Sequence, residues 1–426
     1  MSCLLGCIAD DFTGGTDLAG MLVKAGMRTV QMIGVPQEPI ADDIDAVVIA
    51  LKSRTSPIDE AVAESLAALR WLRQAGCRQF YSKYCSTFDS TAKGNIGPIA
   101  EAFMNELGSD FTIACPAFPV NGRTIYKGHL FVGDILLSDS GMRHHPLTPM
   151  TDANLVKVLQ AQIKGKVGLV DFTVVSHGAE AIKARFEKLK SEGCNFAVTD
   201  AVSNDDLMAI GAACAGMSLV TAGSGIALGL PQNFRKAGLL ADSQVADTLP
   251  STGGLRAVIS GSCSIATQGQ VAAMRERHPA FNIDPFELAH GKDVAGEALT
   301  WAKSRIENEP VLFYATATPD AVKAVQSRLG TEKAGSLVED ALAAIARGIV
   351  SMGVGQLIVA GGETSGAVVK ALGVSGLRIG PEIDPGVPWT TAITRNASDK
   401  PIALALKSGN FGSSDFFLKA WSKLAS

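Results

Sequence analysis

Residues 8–17 read IADDFTGGTD, and this stretch decides the fold class that we predict for the chain. An apolar run at residues 4–8 precedes it and a helix-like run at residues 18–25 follows it, which indicates a strand, a tight turn and a helix. Open α/β sheets bind their ligands at such turns. Because adjacent like charges repel, Asp10 and Asp11 predict a role in binding a polyol hydroxyl, taking its proton or holding a metal. A helix N-cap with a solvated neighbour explains the pair equally well.

Strand-like and helix-like runs alternate along most of the chain. Strands are predicted at residues 4–9, 29–33, 46–50, 79–84, 111–115, 167–171, 196–199 and 219–222, and further on at 257–260, 311–315, 356–360 and 402–405. Helices are predicted between them, for example at residues 57–74, 95–107, 152–163, 179–191, 294–307 and 336–352. The strands are continuously apolar, which is typical of parallel sheets covered on both faces. Residues 117–150, rich in proline and glycine, are predicted to form a long irregular loop, a kind that is often functional.

The length of 426 residues exceeds one ordinary core and predicts two domains. Residues 247–254 lack periodicity and have the composition of a linker, which places the domains at residues 1–246 and 255–426. The predicted fold class is therefore α/β, with two α/β domains, mostly parallel sheets and an active-site cleft between the domains.

Composition narrows the class of protein. Apolar residues make up 47% of the chain and charged residues 19%, which is typical of a globular enzyme and not of a disordered chain. The net charge of −4 argues against a nucleic-acid partner but is compatible with a local phosphate pocket. Eight cysteines without C-x-x-C or zinc spacing indicate free thiols in a reducing compartment. No apolar run reaches about 18 residues, so we expect a cytoplasmic protein with no membrane partner and leave a homo-oligomer open.

Three glycine-rich turns follow strands of the second domain and predict a nucleotide phosphate site. They are residues 260–264 (SGSCS), 361–366 (GGETSG) and 407–412 (KSGNFG). Glycine lets the backbone approach an anion closely, and the N–H groups at the start of the following helix point at it. One such turn is usually structural, but three in one domain favour phosphate binding.

The second of these turns carries further predictions. Thr364 and Ser365 are predicted as N-caps of a helix over residues 366–372. Glu363 is predicted either to reach Mg²⁺ or a ribose hydroxyl, or simply to interact favourably with the helix N-terminus. The sequence leaves the two interpretations of Glu363 open.

Two cations follow strands of the first domain. Arg54 and Lys83 lie where the predicted strands 46–50 and 79–84 end, the type of residue and the place for binding a small carboxylate. A salt bridge at the rim is the ordinary alternative for each of them. If the fold brings both cations close to the turn at residues 8–17, the site would favour a small, polar, anionic substrate.

Two other functional classes stay open. Residues 223–229 (GSGIALG) resemble a dinucleotide fingerprint whose third glycine comes one residue late, so an NAD-dependent sugar-acid dehydrogenase is a distant alternative. A Walker A motif is absent, because Gly291-Lys292 is followed by Asp293. A non-catalytic acid-sugar sensor is the remaining hypothesis, and it leaves the three phosphate-type turns unexplained.

Six short motifs run in order through both domains, at residues 9–14, 83–95, 115–118, 260–262, 361–364 and 408–412. Together they resemble the four-carbon acid sugar kinase family. Within this family, the motifs most similar to the 3-oxo-tetronate 4-kinases are residues 15–17, 83–91, 94–97 and 138–148. Lys93 stands where threonate and erythronate kinases tend to carry arginine, which favours the oxo acid.

The resemblance implies ATP-dependent phosphorylation of the C4 hydroxyl of a 3-oxo-tetronate, with a threonate or erythronate 4-kinase as the alternative. It implies Mg²⁺ beside ATP, with metal ligands unassigned, and a general base that is either Asp10 or Asp11. The residues that it implies for the acid sugar are Asp11, Arg54, Lys83, Tyr84, Cys85 and Ser86. The residues that it implies for ATP are Ser260, Gly361, Gly362, Glu363, Thr364 and Gly409.

Overall fold

The computed structural model describes residues 3–37, 43–145, 147–241, 246–318, 324–325, 327–394 and 401–424. The chain divides into two compact units, Met1–Asp247 and Thr248–Ser426. Each unit combines helices with a mostly parallel β-sheet, so the predicted α/β class is confirmed.

The first unit alternates strands and helices. Its strands are β1 (Leu5–Ala9), β2 (Thr29–Ile33), β3 (Ala46–Ala50), β4 (Gln79–Lys83), β5 (Thr112–Cys115), β6 (Arg123–Tyr126), β7 (His129–Val132), β8 (Ile135–Leu136), β9 (Val167–Val170), β10 (Phe196–Thr199) and β11 (Leu219–Ala222). Its helices are α1 (Phe12–Lys24), α2 (Ile58–Gln74), α3 (Ile96–Leu107), α4 (Leu155–Gln160), α5 (Phe172–Val175), α6 (Ala179–Ser191), α7 (Asn204–Ala213) and α8 (Pro231–Lys236). The main sheet has the order β2-β3-β1-β4-β11-β5-β10-β9, and its strands pair in parallel.

Strand β1 determines where the predicted acids lie. All five of its residues are buried, as expected for an apolar strand covered on both faces. It pairs with β3 and with β4 in a register that brings Ala9 level with both Ala50 and Lys83. The segments that follow β1, β3 and β4 therefore meet at the same edge of the sheet.

The prediction of a long loop at residues 117–150 is wrong in part. This segment contains a small antiparallel sheet in the order β6-β7-β8. The turn between β6 and β7 is held by the buried carboxylate of Asp200, which accepts the N–H groups of Lys127 at 2.6 Å and Gly128 at 2.8 Å. These strands have at most four residues each, and the prolines and glycines around them hide their pattern in the sequence.

The second unit has a sheet of mixed direction. Its strands are β12 (Leu255–Ser260), β13 (Ala280–Asn282), β14 (Val311–Tyr314), β15 (Val354–Ala360), β16 (Val374–Asp384), β17 (Val387–Thr394) and β18 (Ala403–Lys407). Its helices include α9 (Ile265–Arg275), α10 (Pro285–Ala289), α11 (Val294–Lys303), α12 (Thr331–Ser351), α13 (Gly362–Ala371) and α14 (Phe416–Lys419). The order is β13-β14-β12-β15-β18-β17-β16, parallel as far as β18 and antiparallel beyond it.

The sequence did not predict the long hairpin of β16 and β17. Register shifts interrupt its pairing, and these shifts break the alternation by which a strand is normally recognised. The hairpin carries Trp389, which is fully buried in a core cluster with Phe416, Phe417 and Trp421. This Trp is therefore a packing residue of the second unit.

Two expectations drawn from composition can be compared with the structure. All eight cysteines are free thiols, six of them buried. Among the described residues, no helix combines the length and the apolar character needed to cross a membrane.

Candidate active site

Charged side chains from three neighbouring strands meet at the carboxyl edge of the first unit's sheet. Asp10 follows β1, Arg54 lies beyond the end of β3, and Lys83 ends β4. Backbone hydrogen bonds fix this arrangement, because the N–H of Asp10 donates to the carbonyl of Lys83 at 3.1 Å and the N–H of Arg54 donates to the carbonyl of Asp10 at 3.3 Å. The structure thus brings together the acids and cations that the sequence singled out.

The guanidinium of Arg54 is engaged by carboxylates of the chain itself. It holds Asp10 through two hydrogen bonds, from Nε at 2.8 Å and from Nη2 at 2.9 Å, and Nη2 also donates to Asp11 at 2.8 Å. Its Nη1 lies 3.7 Å from a carboxylate oxygen of Asp89. The sequence left a substrate carboxylate and a salt bridge open as partners of this cation, and the structure shows ion pairs with acids of the chain. Binding of a substrate carboxylate by Arg54 stays a prediction.

The sequence left open whether the acids at the turn cap a helix or bind a ligand, and Asp11 has the properties needed for both. Its side chain caps α1, accepting the N–H of Gly14 at 3.2 Å and the hydroxyl of Thr13 at 2.9 Å. Burial acts to raise the pKa of Asp11, but Lys83, Arg54 and these hydrogen bonds together lower it. The Asp11 side chain is 29% exposed. It is therefore an ionised carboxylate that a ligand can reach.

Asp10 has a different environment from its neighbour. Its side chain is 13% exposed and both of its oxygens accept from Arg54. Burial raises the pKa of Asp10 in spite of the opposing charge of Arg54. Two adjacent carboxylates thus have opposite pKa shifts, a pattern that marks sites of acid–base chemistry.

Lys83 is a buried cation that faces the same acids. Its side chain is 3% exposed, and its ammonium lies 4.0 Å from a carboxylate oxygen of Asp11. Within the part of the chain that the structure describes, no hydrogen bond uses this ammonium. Its donors can therefore bind an anionic ligand without breaking an existing hydrogen bond.

Gly14 leaves the space in which Asp11 and Lys83 approach each other. A Cβ atom at this position would overlap both Oδ1 of Asp11 and Nζ of Lys83. We expect Gly14→Ala to raise the KM for the acid substrate by about tenfold or more. The added methyl group would displace the Asp11 carboxylate and the Lys83 ammonium from the positions in which they contact the substrate. Steady-state kinetics measure this change.

Gly20→Ala is the matched control, because Gly20 lies in the same helix and a Cβ there would contact nothing within 4 Å. Alanine in a helix interior is favourable, so this variant should keep the wild-type KM and gain slightly in thermal stability. A Gly14→Ala enzyme with wild-type KM would show that the spacing of Asp11 and Lys83 does not matter for binding.

The three residues after Lys83 have unequal access to the site. The hydroxyl of Tyr84 is buried and donates to the carbonyl of Thr221 at 3.1 Å, and Tyr84 lines the same pocket as Asp10 and Lys83. Cys85 is half-buried, with its sulfur 3.0 Å from the hydroxyl of Thr87, and burial raises its pKa to about 12. Ser86 is half-buried as well. Of the three, Cys85 and Ser86 have the more exposed side chains, and Tyr84 is the one that lines the pocket of Asp10 and Lys83.

Sequence reasoning missed Asp89 and Asn95 as parts of this site. Both line the same pocket as Asp10, Arg54 and Lys83. Asn95 donates to the carbonyl oxygens of residues 53 and 56 at 2.7 Å and 2.9 Å and so holds the loop that carries Arg54. The signal for both residues is the polar segment at residues 85–95, which directly follows a buried strand.

In the second unit, the three glycine-rich turns lie against one another. A Cβ on Gly409 would lie 2.6 Å from the hydroxyl of Ser262, and one on Gly361 would lie 3.2 Å from the N–H nitrogen of Ser262. The backbone links them further, since Gly361 donates to the carbonyl of Lys407 at 2.8 Å. Glycine is required at these positions because the turns approach so closely.

The start of α13 differs from the prediction. The helix begins at Gly362 with Gly361 as its N-cap, so Thr364 and Ser365 lie inside its first turn and are not N-caps. The physical reason is the φ of 127° at Gly361, which only glycine adopts readily and which turns the chain directly into the helix.

The N-terminus of α13 has properties of an anion site. It lacks a side-chain cap, and no hydrogen bond within the described residues uses the N–H groups of residues 362–364. Free N–H groups and the helix dipole together attract phosphate. Glu363 in this turn is exposed, whereas Thr364 is 4% exposed.

Ser260 lies at the end of β12, beside the turns. Its side chain is fully buried, and its hydroxyl is 2.7 Å from that of Thr316. Thr316 carries a second hydroxyl to this region that the sequence did not single out.

The glycines at residues 223–229 have a packing role. Residues Ser224–Gly229 form a 3₁₀ helix, not the α-helix that follows a dinucleotide fingerprint. A Cβ on Gly223 would lie 2.7 Å from the carbonyl oxygen of Pro116, and one on Gly229 would lie 2.7 Å from that of Leu207. Close backbone contacts therefore account for glycine here.

Comparison with known families matches both units. The model of a sugar-binding N-terminal domain matches residues 5–230, and that of a nucleotide-binding C-terminal domain matches residues 257–417. The fold and the two sites thus define a protein with one sugar-binding and one nucleotide-binding domain. The chain belongs to the family of proteins that combine these two domains. The resemblance to the four-carbon acid sugar kinases that the sequence predicted is confirmed.

Curated relatives are similar over almost the whole chain. A protein of Burkholderia multivorans named 3-oxo-tetronate kinase is 60% identical over 98% of this chain and 96% of its own length. A protein of the same name from Pseudomonas savastanoi is 59% identical over 99% of this chain and 97% of its own. The crystal structure of a Haemophilus influenzae protein of the same fold has a TM-score of 0.86 at 46% identity, covering 98% of this chain and all of that one.

Proposed function

We propose that this protein transfers the γ-phosphoryl group of ATP to the C4 hydroxyl of a 3-oxo-tetronate. The observation that carries the proposal is the identity of 59–60% over at least 98% of the chain to proteins named 3-oxo-tetronate kinase. The charged site in the first unit and the phosphate-type turns in the second supply the chemistry that this reaction needs. A cytoplasmic location, where ATP is available, is part of the proposal.

The first unit binds the acid sugar in this proposal. Lys83, with no hydrogen bond of its own among the described residues, binds the substrate carboxylate or the oxo group beside it. Arg54 holds Asp10 and Asp11 in place and keeps the cluster from accumulating negative charge. Cys85 and Ser86, which are half-buried and follow Lys83 closely along the chain, contact the sugar chain in this proposal.

The second unit binds ATP through its main chain. The N–H groups of Gly362, Glu363 and Thr364 at the start of α13 bind phosphate oxygens, and the glycines at 361 and 409 allow the close approach. Ser260 fixes the base of the site through its contact with Thr316. The active-site cleft between the two domains stays a prediction.

Mg²⁺ fits this site as a partner of the nucleotide phosphates. Among the described residues, no group of three or more His, Cys, Asp or Glu side chains could hold a metal ion, so the nucleotide phosphates would have to supply most of its ligands. Glu363 is the acid within the three turns, and Mg²⁺ commonly takes one carboxylate while keeping waters and phosphate oxygens. When bound there, the ion would reduce the negative charge of the triphosphate.

Asp11 is the general base in the proposed reaction. It is ionised, and its side chain is 29% exposed against 13% for Asp10, so the substrate hydroxyl reaches it more easily. Asp11 accepts the proton of the C4 hydroxyl, and the C4 oxygen forms a bond to the γ-phosphorus. The bond from that phosphorus to the β-γ bridging oxygen breaks, and ADP leaves.

A coupled assay of ADP release tests the proposal. We expect ADP release with 3-oxo-tetronate, and ³¹P NMR should show a single phosphomonoester on C4 of the product. Threonate and erythronate should react more slowly, which separates the main proposal from its closest alternative. No ADP release with any four-carbon acid would refute kinase activity, and a change in nicotinamide absorbance would favour the dehydrogenase.

A further inference from the structure

Lys407 is a buried cation in the third glycine-rich turn of the second unit. Its side chain is fully buried, and its ammonium donates to the hydroxyl of Thr267 at 2.9 Å and to the carbonyls of Ser408 and Gly409, both at 3.0 Å. All three acceptors are neutral. Within the described part of the chain, no carboxylate pairs with this ammonium. Burying a cation without an anion costs free energy, and an anionic ligand beside this turn would reduce that cost.

The hydrogen bonds of Lys407 determine which way the turn faces. The carbonyl of Gly409 also accepts the hydroxyls of Ser264 at 2.5 Å and Thr267 at 2.7 Å, so three donors draw it inward. In a trans peptide the N–H points away from the C=O. The N–H groups of Gly409 and Asn410 therefore point away from the ammonium, and no hydrogen bond among the described residues uses either one.

Residues 408–411 form a turn in which the N–H of Phe411 donates to the carbonyl of Ser408 at 3.2 Å, and successive free N–H groups in a turn are donors of the kind that binds anions. This turn adjoins the other two glycine-rich turns, since Gly409 lies against Ser262, which in turn lies against Gly361. The donors of the third turn and those at the start of α13 therefore lie around Ser262. A triphosphate has enough oxygens to use both sets.

We propose that Lys407 positions the third turn for ATP, by drawing two carbonyls inward so that the N–H groups of Gly409 and Asn410 face the phosphates. Its positive charge also attracts the phosphates through the turn. The inference rests on the proposed function, because the anion that it requires is the ATP phosphate. Lys407 acts here as a positioning residue, since its own donors are occupied by the chain.

Protonation of Lys407 gives the proposal a pH dependence. Burial lowers the pKa of Lys407 to about 8, and no neighbouring charge contributes to this shift. The groups that contact the ammonium from α9 and from the turn are a hydroxyl and two carbonyls, none of which titrates in this range. Glu363, the acid of the adjacent turn, is exposed and is not among the groups that contact the ammonium. ATP affinity should therefore fall as the pH rises through the pKa of Lys407.

Lys407→Met tests the proposal, with Lys370→Met as the control. Lys370 is an exposed lysine in the last turn of α13. We expect Lys407→Met to raise the KM for ATP by about tenfold or more, with the KM for the acid sugar unchanged, because charged hydrogen-bond networks at phosphates contribute this much. Lys370→Met should leave both values unchanged. An unchanged KM for ATP in folded Lys407→Met would overturn the proposal.

Lys407→Arg keeps the test decisive if the methionine variant does not fold. Arginine retains the charge but does not titrate near neutral pH. Calorimetric binding of ATP should weaken between about pH 7 and about pH 9 in the wild type and not in Lys407→Arg, because only lysine loses its proton there. Equal pH dependence in both proteins would refute the role of Lys407. Since this measurement needs no acid sugar, absence of kinase turnover would count against the proposed function alone.

Discussion

Asp11→Asn should lower kcat by about 10²–10⁴-fold while leaving the KM for the acid sugar nearly unchanged, as expected when a general base is removed. Asparagine is as good an N-cap as aspartate, so α1 should keep its cap on the N–H of Gly14. The substitution thus removes the charge and the basicity of residue 11 with little effect on the fold. Single-turnover kinetics with saturating ATP measure the chemical step directly.

Two further variants separate the general base from its surroundings. Asp10→Asn removes one partner of Arg54, so we expect mainly a higher KM for the acid sugar, because Arg54 and Asp11 lose their positions. Asp293→Asn makes the same chemical change at the N-cap of α11 and should leave kcat unaltered. If Asp11→Asn retained a kcat within tenfold of the wild type, the proton would have to go to another acceptor.

The sequence was sufficient to predict the position of the acid site because parallel strands obey a simple geometric rule. Once β1, β3 and β4 are recognised as buried parallel strands, Asp10, Arg54 and Lys83 must lie at one edge of the sheet. What each side chain contacts does not follow from this rule. The pairing of Arg54 with Asp10 joins residues 44 positions apart, and only the folded structure shows it.

Lys407 illustrates a second limit of the sequence. It ends an apolar strand, and by pattern alone it is a charged residue at a strand end, as Lys83 is. Its burial depends on Thr267, which lies 140 positions earlier and supplies a hydroxyl where the ammonium needs an acceptor. Local patterns therefore give the place of a cation along a strand, whereas its partners come from distant parts of the chain.

The hairpin of β16 and β17 was missed for a local reason. Proline occurs in both strands, at residues 381 and 388, and proline within a run normally argues against a strand. The shifts in register near these positions accommodate it. The strand pattern of the hairpin is therefore present in the sequence but is interrupted at the prolines. Burial of Trp389 in the core stabilises the hairpin in spite of these breaks in strand pairing.

Arg54→Met should destabilise the first unit more than any surface substitution, because it leaves three acids without their shared cation. Asp10, Asp11 and Asp89 all face this guanidinium at 3.7 Å or less. Removing one partner of a largely buried ion pair costs about 3 kcal/mol or more. For a unit of this size we expect the thermal midpoint to fall by roughly 6–12 °C, which differential scanning calorimetry measures.

The pH dependence of Arg54→Met distinguishes this cause from a simple loss of packing. Without the guanidinium, mutual repulsion raises the carboxylate pKa values in the folded state above their unfolded value of about 4. When the pKa of a carboxylate is higher in the folded protein than in the unfolded protein, its contribution to stability is fully present at a pH below the pKa of the unfolded state. This contribution is lost as the pH rises through the pKa of the folded state. The deficit of Arg54→Met relative to wild type should therefore be smaller at about pH 5 than at about pH 8.

Arg70→Met provides the comparison for this experiment. Arg70 pairs with Glu106 at 2.8 Å, but the pair is exposed, and such pairs contribute little to stability. Its thermal midpoint should stay close to that of the wild type at both pH values. A deficit of Arg54→Met that is equal at both pH values would instead assign the loss to packing of the arginine stem, and the three carboxylates would then need no common cation.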